Sequence, residues 1–405
     1  MNRKEVLEES FHAAVTAADP LRILAPHLPR PPRGRTFVAA AGKAAASMAL
    51  AVENHWPANA ALDGIAVTRY QHGLPTGRIR VVEAGHPVPD EAGEQTAKEI
   101  LRTTGELGPD DLLLALLSGG GSSLLALPGP GVSMAELKAL TSQLLRSGAD
   151  IQEINTVRKH LSAIQGGRLA AACRAPVLAL IISDVTGDDP THIASGPCTP
   201  DPTTCADAAA VLAKYRIDFK GKFSETPKPG DAVFARVENR VVATAYRSLE
   251  AAAEVFRREG IQPVILGDTI TGEAREVAAD MARLARRTAR PAALISGGEC
   301  TVTVRGEGGR GGRCAEFLLA LAIELKGVRD VWAIAADTDG IDGSEDNAGA
   351  LMTPDSLERA VQKGLHAKAL LDRNDSYGFF SALGDLVTTG PTRTNVNDYR
   401  AIVIA

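Results

Sequence analysis

The sequence predicts an α/β protein of two domains in which parallel β-sheets are covered by helices. Three observations lead to this prediction. The chain has 405 residues, which is more than one hydrophobic core usually serves. Its composition of 45% hydrophobic and 23% charged residues is typical of folded globular proteins. Short apolar segments of strand length alternate along it with longer segments in which apolar residues recur at helical spacing.

Apolar segments of strand length occur in both halves of the chain and alternate with helical ones. The predicted strands are Thr36–Ala41, Leu62–Thr68, Leu112–Leu117, Val177–Ile182, Arg240–Ala245, Pro263–Leu266, Ala292–Ile295 and Val331–Ala336. The predicted helices include Glu91–Thr104, Met134–Arg146, Ser248–Glu259 and Glu273–Arg287. This order is that of βαβ units, so we expect a parallel sheet in each half.

A polar stretch that contains prolines, Phe219–Gly230, separates the two halves and is typical of a linker. We therefore place the domain boundary near Lys222–Asn239. The prediction is an N-terminal α/β domain over residues 1–235 and a C-terminal α/β domain over residues 236–405. With two domains, a ligand-binding cleft between them is expected.

Charge and cysteine usage exclude several classes of protein. The net charge of −5 disfavours a nucleic-acid partner, because its phosphates would be repelled. The five cysteines show no paired spacing, which fits a reducing cytoplasm. Charged residues interrupt the N-terminal segment where a signal peptide needs an apolar stretch, and no apolar run approaches the roughly 18 residues of a membrane helix. We therefore expect a cytoplasmic protein without a membrane partner.

Polar segments follow five of the predicted strands. They are Gly42-Lys43, Ser118–Ser123, Ser183-Asp184, Ser296–Glu299 and Asp337–Gly340. In open parallel sheets, ligands bind beyond the carboxyl ends of the strands, where loops are free and helix N-termini present their amides. Each segment alone is compatible with ordinary turn chemistry. The five together predict a ligand site.

The first glycine-rich loop joins an apolar strand to a helix. Its residues are Ser118, Gly119, Gly120, Gly121, Ser122 and Ser123. Three consecutive glycines let backbone N–H groups approach an anion without obstruction by Cβ atoms, so we expect the loop to bind phosphate. No lysine follows the glycines, so the loop is not a Walker A motif. A tight turn without a ligand is the alternative.

Lys43 follows the first predicted strand and opens the alanine-rich segment Ala44–Val52. A cation fixed at that place can stabilise the charge on a phosphoryl group during its transfer. A solvated surface lysine is the alternative interpretation of this residue.

Carboxylates cluster in the turn Ser183–Pro190, directly after an apolar strand. Hard oxygen ligands of this kind suit Mg²⁺, whereas one of them can instead cap the next helix. We expect Asp184 and Asp189 to be functional and leave the role of Asp188 open. His192 is either a base or a loop histidine bonded to its own backbone.

A second glycine-rich segment follows a predicted strand in the C-terminal half, and residues 306–311 match the pattern Gly-x-Gly-x-x-Gly. This match suggests dinucleotide binding, but no acidic residue stands at the usual distance for a ribose. Arginines in the segment point instead to phosphate or carboxylate recognition through their planar fork. They are Arg305, Arg310 and Arg313.

Further carboxylates lie in Asp337–Ser344, at the end of the last predicted strand. The strand context does not suit a calcium-binding loop, which needs flanking helices and a Glu at its twelfth position. Divalent-ion coordination and a structural Asx turn remain as alternatives, and whether Asp339 takes part stays open.

Taken together, the polar segments resemble those of the MOFRL-type glycerate 2-kinases over nearly the whole chain. The segments that carry this resemblance are Gly42-Lys43, Ser118–Leu125, Asn155–Ser162, Gly166–Leu169, Ser183–Pro190, Ile193–Pro197, Ser296–Arg313, Asp337–Gly343, Asn374–Tyr377, Thr389–Thr392 and Thr394–Asp398. The resemblance implies a Rossmann-like N-terminal domain and a smaller C-terminal MOFRL domain. It also implies ATP- and Mg²⁺-dependent phosphorylation of D-glycerate at the 2-hydroxyl, with Lys43 and Arg313 as catalytic residues.

The chain departs from the family pattern at three places. The Gly-Gly-Arg motif commonly continues with Asn-Gln-Glu, whereas here Arg313 is followed by Cys314-Ala315 and then Glu316. Cys300 stands where the family usually has Thr, and Arg393 stands where it usually has Gly. We expect the change beside Arg313 to bear on the acceptor and not on the reaction class.

The resulting prediction is an ATP-dependent glycerate 2-kinase that uses Mg²⁺. The predicted catalytic residues are Lys43, Arg313 and Asp189, and the predicted magnesium ligands are Asp184 and Asp189. The loop Ser118–Ser123 is predicted to hold the nucleotide phosphates. The predicted substrate ligands are Arg158, Lys159 and Arg310. The alternatives are a nicotinamide-dependent hydroxypyruvate reductase, which the Gly-x-Gly-x-x-Gly match favours, and an anion-binding regulator without catalytic activity.

Overall fold

The structure is a computed structural model that describes residues 2–305, 309–326 and 328–405. The chain forms two compact units. The first unit is Pro20–Val242, and the second unit combines Met1–Asp19 with Ala243–Ala405. The division near Val242 lies a few residues after the predicted boundary. Residues 1–19, which we had placed in the N-terminal domain, belong to the second unit.

Helix α1 (Arg3–Thr16) explains why the first residues pack in the second unit. Its buried face includes Val6, Leu7 and Phe11, which join a hydrophobic cluster of that unit. The Nζ atom of Lys4 lies 2.8 Å from a carboxylate oxygen of Asp385. The apolar face of a helix does not indicate which sheet it packs against. Assigning α1 to the N-terminal domain from its position in the chain was therefore wrong.

The first unit is a sheet covered by helices. Its strands are β1 (Thr36–Ala41), β2 (Leu62–Arg69), β3 (Ile79–Ala84), β4 (Leu112–Leu117), β5 (Val177–Ile182) and β6 (Val237–Ala243), which ends at the division. Its helices are α2 (Pro20–Ile23), α3 (Ala45–His55), α4 (Glu91–Glu106), α5 (Gly121–Leu124), α6 (Met134–Arg146), α7 (Ile151–Leu161), α8 (Arg168–Ala172) and α9 (Cys205–Lys214).

Strand order in the first sheet is β3-β2-β1-β4-β5-β6, and β1 to β5 pair in parallel. Every residue of β1, β4 and β5 is buried, as expected for strands with helices on both faces. This is the strand order of Rossmann folds, in which the order reverses between β1 and β4. Ligands of such sheets bind at that reversal, so a ligand site is expected at the loops after β1 and β4.

The second unit contains another six-stranded sheet and a separate pair of short strands. Its strands are β7 (Gln262–Gly267), β8 (Gly272–Glu273), β9 (Ala292–Ser296), β10 (Cys300–Thr301), β11 (Val331–Asp337), β12 (Gly349–Met352), β13 (Leu386–Val387) and β14 (Asp398–Ile404). Its further helices are α10 (Ala245–Arg258), α11 (Ala274–Arg287), α12 (Arg313–Glu324), α13 (Ser356–Gln362), α14 (Ala367–Asp372) and α15 (Ser376–Leu383). Strands β8 and β10 form a separate short pair.

The order of the large second sheet is β13-β12-β11-β14-β9-β7. Strands β7 and β9 pair in parallel, but the neighbouring pairs from β9 to β13 are antiparallel. The prediction of a parallel sheet in this half was therefore wrong. Strands that are apolar on both faces give the same sequence pattern in either direction, so periodicity could not reveal the orientation.

Both faces of the second sheet are covered. Helices α11 and α12 contribute to the cluster on one face, and α1 and α10 contribute to the other. Strand β14 between them is buried at every residue. No helix within the described ranges combines the length and the apolar character needed to span a bilayer.

Candidate active site

The loops that follow β1 and β4 are bonded to each other at the reversal of the first sheet. The backbone N–H of Lys43 donates to the carbonyl of Gly119, at 2.8 Å, and that of Ala44 donates to Ser118 Oγ, at 3.1 Å. Gly42 has a φ of +130°, and a Cβ there would lie 2.2 Å from Ser118 Oγ. A glycine is therefore required before Lys43, and the structure brings this lysine beside the glycine-rich loop.

The glycine-rich loop turns into α5, a helix of one turn. Gly120 adopts a left-handed conformation with a φ of +79°. A Cβ on this residue would lie 2.9 Å from His86 Nε2 and 3.4 Å from Lys43 Cγ. The Lys43 side chain thus passes directly over the loop, where any residue larger than glycine would collide with its neighbours.

A chain of short polar side chains extends from the loop. The hydroxyls of Ser122 and Ser195 lie 2.8 Å apart, and Ser195 donates to Asn155 Oδ1 at 3.2 Å. Ser195 and Asn155 are buried. Both belong to segments that carry the family resemblance, but their connection to Ser122 was missed. Nothing in the spacing of three residues from three parts of the chain indicates such a contact.

The backbone at Ser195 is strained. Ala194 and Ser195 have φ values of +50° and +58°, which residues with a Cβ rarely adopt. Hydrogen bonds hold the segment in place, because Gly166 N–H donates to the Ser195 carbonyl at 3.0 Å and Gly167 N–H donates to that of Gly196 at 2.7 Å. Backbone strain of this kind persists where the surroundings enforce it, and it is common at functional sites.

The three carboxylates after β5 have different environments. Asp184 is half-buried and Asp189 is exposed, while Asp188 has a φ of +54° within the turn. Asp189 Oδ1 accepts a hydrogen bond from Thr191 N–H at 2.8 Å. Neighbouring protein atoms desolvate Asp189 in part and so raise its pKa, but the hydrogen bonds from Thr191 and the nearby positive charge outweigh this effect and leave the pKa below its usual value. This carboxylate is therefore ionised at neutral pH.

Carboxylates such as those of Asp184 and Asp189 are the type of ligand that Mg²⁺ takes together with phosphate and water oxygens. Within the described ranges, the three carboxylates of this turn do not converge on one point with ligand spacing. His192 follows them in the sequence. Burial, together with the charge of Lys159, lowers the pKa of His192, so its ring is neutral at pH 7.

Arg158 and Lys159 lie side by side on α7 but have different surroundings. Lys159 is 2% exposed, and its Nζ atom lies 3.3 Å from Oδ1 of the buried Asp201. Arg158 is half-buried, its Nε donates to Thr141 Oγ1 at 3.5 Å, and burial lowers its pKa to about 10. Arg158 stays charged at pH 7. Lys159 is engaged in an ion pair inside the first unit.

In the second unit, Arg313 is the first residue of α12, and carboxylates surround its guanidinium group. Its Nε lies 2.7 Å from Asp398 Oδ1 and its Nη2 lies 2.7 Å from Asp337 Oδ2. Its Nη1 lies 3.1 Å from Glu299 Oε1. Burial works against the charge, but the three carboxylates outweigh it and raise the arginine pKa well above its ordinary value. The sequence predicts a role for Arg313 but not these contacts, because the partners lie far apart in the chain.

The N-terminus of α12 is bonded to a buried carboxylate. Both Cys314 N–H, at 3.0 Å, and Ala315 N–H, at 2.8 Å, donate to Asp342. Burial raises the pKa of Asp342 to about 7, although these bonds oppose the shift. Cys314 and Ala315, which stand where the family resemblance predicts two amides, are buried. Their side chains belong to the hydrophobic core beside Arg313.

The Asp337–Gly343 loop is built from Asx turns. Asp339 N–H donates to Asp337 Oδ1 at 3.0 Å, and Ile341 N–H donates to Asp339 Oδ1 at 2.8 Å. Asp337 also pairs with Arg313, as described above. The alternatives for this loop were divalent-ion coordination and a structural Asx turn, and the Asx turn accounts for these contacts.

A cavity of about 400 Å³ lies in the second unit, and Cys300, Arg313 and Asn374 are among its lining residues. Glu316 also lines it, bonded to Arg275 at 2.8 Å and to Asn374 at 2.9 Å. Arg310 is exposed, and its guanidinium carbon stands 4.8 Å from the centre of the Tyr377 ring. The cavity is therefore rich in fixed charges, while Arg310 is at the surface.

The Gly-x-Gly-x-x-Gly match has a structural context that differs from a dinucleotide-binding motif. Gly306 and Gly308 lie outside the described residues. The strand that precedes them, β10, has two residues and pairs with the short β8. A dinucleotide fingerprint instead follows a central strand of a parallel sheet.

The fold and the loops define a two-domain α/β protein with a Rossmann-type first sheet. Residues 6–226 match a domain of unknown function, DUF4147, and residues 292–398 match the MOFRL family. The chain belongs to the family that combines these two domains, which confirms the resemblance stated above.

Named relatives cover nearly the whole chain. It is 39% identical to the "D-glycerate 2-kinase" of Thermotoga maritima, over 98% of this chain and 97% of that one. It is 52% identical to a "Putative hydroxypyruvate reductase" of Agrobacterium vitis, over 100% of this chain and 95% of that one. The crystal structure of glycerate kinase from T. maritima superimposes with a TM-score of 0.88 at 38% identity and covers 99% of both chains.

Proposed function

We propose that this chain is an ATP-dependent D-glycerate 2-kinase that forms 2-phosphoglycerate and requires Mg²⁺. The observation that carries the proposal is the position of Lys43, which is bonded to a glycine-rich loop at the reversal of a Rossmann-type sheet. The names of the T. maritima relative and of the T. maritima crystal structure support the same reaction.

In this proposal, Lys43 stabilises the negative charge that spreads over the phosphoryl group in the transition state. The N–H groups of Ser118–Ser123 bind the nucleotide phosphates, since the glycines let a phosphate approach the backbone closely. Arg313 of the second unit has the same charge-stabilising role as Lys43. Its carboxylate partners hold the guanidinium in one orientation, so little reorganisation is needed when substrate binds.

Asp189 has the role of orienting the 2-hydroxyl of glycerate and accepting its proton. The hydroxyl oxygen forms a bond to the γ-phosphorus while the bond from that phosphorus to the leaving ADP oxygen breaks. The lowered pKa of Asp189 keeps it ionised before the reaction. A Mg²⁺ ion held with Asp184 would neutralise charge on the triphosphate. Arg158 and Arg310 are the proposed partners of the glycerate carboxylate, and Lys159 has this role if it leaves Asp201.

A direct assay tests the proposal. Purified protein with ATP, Mg²⁺ and D-glycerate is expected to form 2-phosphoglycerate, identified by the carbon that couples to ³¹P in the NMR spectrum of the product. NADH oxidation by hydroxypyruvate without ATP turnover would instead establish the reductase. Tight phosphate binding without turnover of either substrate pair would establish a regulator.

A further inference from the structure

Three side chains that can bind a metal ion meet in the first unit. His160 lies at the end of α7, Cys205 is the first residue of α9, and Glu225 lies in the predicted linker Phe219–Gly230. A ring nitrogen, the sulfur and a carboxylate oxygen of these residues all lie within 4.8 Å of one another. His160 Nε2 is 3.9 Å from Glu225 Oε2.

The His160 ring is the second observation that points to a ligand. The residue is 1% exposed, and its Nδ1 lies 2.8 Å from the carbonyl of Thr156. Because a carbonyl can only accept, Nδ1 carries the proton, and Nε2 of the neutral ring presents a lone pair. Among the described residues, this buried Nε2 has no hydrogen-bond partner. Leaving such a group unsatisfied costs free energy, and an ion bound at Nε2 would remove this cost.

The donor set selects the ion. One nitrogen, one sulfur and one carboxylate oxygen are the ligands of Zn²⁺ and similar transition-metal ions, whereas Mg²⁺ and Ca²⁺ prefer oxygen alone. Zinc bonds of roughly 2.0–2.3 Å in a tetrahedron place ligand atoms about 3.3–3.8 Å apart. We propose that His160, Cys205 and Glu225 form a Zn²⁺-type site whose fourth position is taken by water.

Lys228 is the competitor for this ion. Its Nζ lies 2.8 Å from Glu225 Oε2 and also donates to Thr226 Oγ1 at 2.7 Å and to the carbonyl of Thr203. A bound ion takes over the Glu225 oxygen, and the lysine keeps its other two acceptors. Glu225 Oε1 can keep its bond from Cys205 N–H, now at 2.7 Å. The ion thus replaces one exposed ion pair without leaving the lysine unsatisfied.

Each of the three ligand atoms must be without a proton when it binds the ion. The Glu225 carboxylate accepts hydrogen bonds from Lys228 Nζ and from Cys205 N–H, so it is an anionic oxygen ligand. A cysteine thiol carries a proton that it must lose to bind a metal ion. Binding therefore forms a metal–sulfur bond and releases the thiol proton to solvent. No oxidant or reductant is needed.

The site would link three separate segments of the first unit. It would hold the Phe219–Gly230 segment against the end of α7 and the start of α9. We assign it a structural role that is independent of phosphoryl transfer, because none of its ligands belongs to the proposed kinase site. Bound metal should then raise the thermal stability of the protein.

Cobalt(II) is a suitable probe, because a thiolate ligand gives it a charge-transfer absorption in the near ultraviolet. The full chain, freed of metal with a chelator, is titrated with Co²⁺ and then with Zn²⁺ in competition. We expect one Co²⁺ per chain with a thiolate band, displacement by Zn²⁺, and a higher Tm with either ion. Cys205→Ser should abolish the band, and Glu225→Gln should weaken binding about 10-fold or more.

Glu238→Gln is the matched control, because Glu238 is an exposed carboxylate of the same unit that pairs with Arg240. Its affinity for Co²⁺ should equal that of the wild type. Absence of saturable Co²⁺ and Zn²⁺ binding to the wild type would overturn the proposal. A thiolate band that persists in Cys205→Ser, or Co²⁺ affinity that is unchanged in Glu225→Gln, would overturn it as well. Circular dichroism of each variant separates loss of the ligand from loss of the fold.

Discussion

The two units organise their polar groups in opposite ways. In the first unit, the segment of Lys43 is positioned through backbone hydrogen bonds, glycines and the hydroxyl of Ser118. In the second unit, Arg313 is positioned by ion pairs with carboxylates that are themselves almost completely buried. The first arrangement depends on steric space and backbone conformation, and the second depends on charge balance.

The two arrangements predict different consequences when Lys43 or Arg313 is removed. Removing Lys43 leaves the backbone contacts of its loop intact, so function should be lost while the fold remains. Removing Arg313 takes the 2.7 Å ion pair from both Asp337, 4% exposed, and Asp398, 1% exposed, and leaves Asp398 with Arg400 at 3.8 Å. Function and stability should therefore be lost together.

The largest effect is expected for Arg313→Ala. The variant should lose roughly 3–5 kcal/mol of unfolding free energy, because two carboxylates stay buried without their partner. Urea denaturation measures this loss, and Arg313→Lys should recover part of it. Arg310→Ala is the control and should change stability by less than about 0.5 kcal/mol, since Arg310 is exposed. A fully stable Arg313→Ala protein would show that the carboxylates do not depend on this arginine.

Lys43→Ala should reduce kcat by about 10²–10³, the typical effect of one lost charge contact in the transition state. Its unfolding free energy should stay within about 0.5 kcal/mol of the wild type. Lys98→Ala, on the exposed side of α4, serves as the control for loss of a lysine. A loss of tenfold or less in turnover, even when Arg313 is replaced as well, would contradict the proposed mechanism.

Asp342 should make stability depend on pH. Its native pKa of about 7 lies above the ordinary value near 3.9, so the folded state holds a proton that the unfolded chain has released between these pH values. The unfolding free energy should therefore fall as pH rises from about 4 to about 7, by up to about 1.4 kcal/mol per pH unit. Asp342→Asn should remove this slope in urea titrations at several pH values. Asp280→Asn, an exposed carboxylate of α11, should keep it. An unchanged slope in Asp342→Asn would place the proton elsewhere.

The smallest effect is expected for Arg393→Gly. Arg393 has a φ of +59°, in the left-handed region that favours glycine. The substitution should stabilise the protein by about 1 kcal/mol at most, because relief of backbone strain is partly offset by the greater freedom of glycine in the unfolded chain. Arg373→Gly, at a φ of −96°, should give no gain. Equal Tm changes in the two variants would exclude strain at Arg393.

Much of the first unit could be predicted because its signals are local. Strands β1, β4 and β5 run over the residues expected from their apolar segments, and glycines mark the loops that follow β1 and β4. The contact between Ser122 and Ser195 depends on the path of a strained segment that no local pattern describes. In the second unit, the partners of Arg313 lie before and after it in the chain, and only the antiparallel position of β14 brings Asp398 to it.

The proposed metal site could not be predicted from a local sequence pattern either. Cys205 and Glu225 carry no recognisable ligand spacing, and they meet His160 only because α7 and α9 pack together. The family resemblance supplied the acceptor and the nucleotide, which the residues alone did not. Prediction from the sequence was thus most successful for loops that come directly after a predicted strand.

The placement of α1 has a consequence for the connectivity of the polypeptide. The chain passes from the second unit to the first near Asp19–Pro20 and returns near Val242–Ala243, so the first unit is an insertion within the second. A polypeptide that begins at Ala243 would lack the helix whose Val6, Leu7 and Phe11 fill the core cluster shared with α10. Residues 292–398, which match the MOFRL family, contain neither α1 nor α10, so this segment alone lacks the helices that pack on one face of the sheet. A circular permutant that joins the C-terminus to α1 would keep that unit whole.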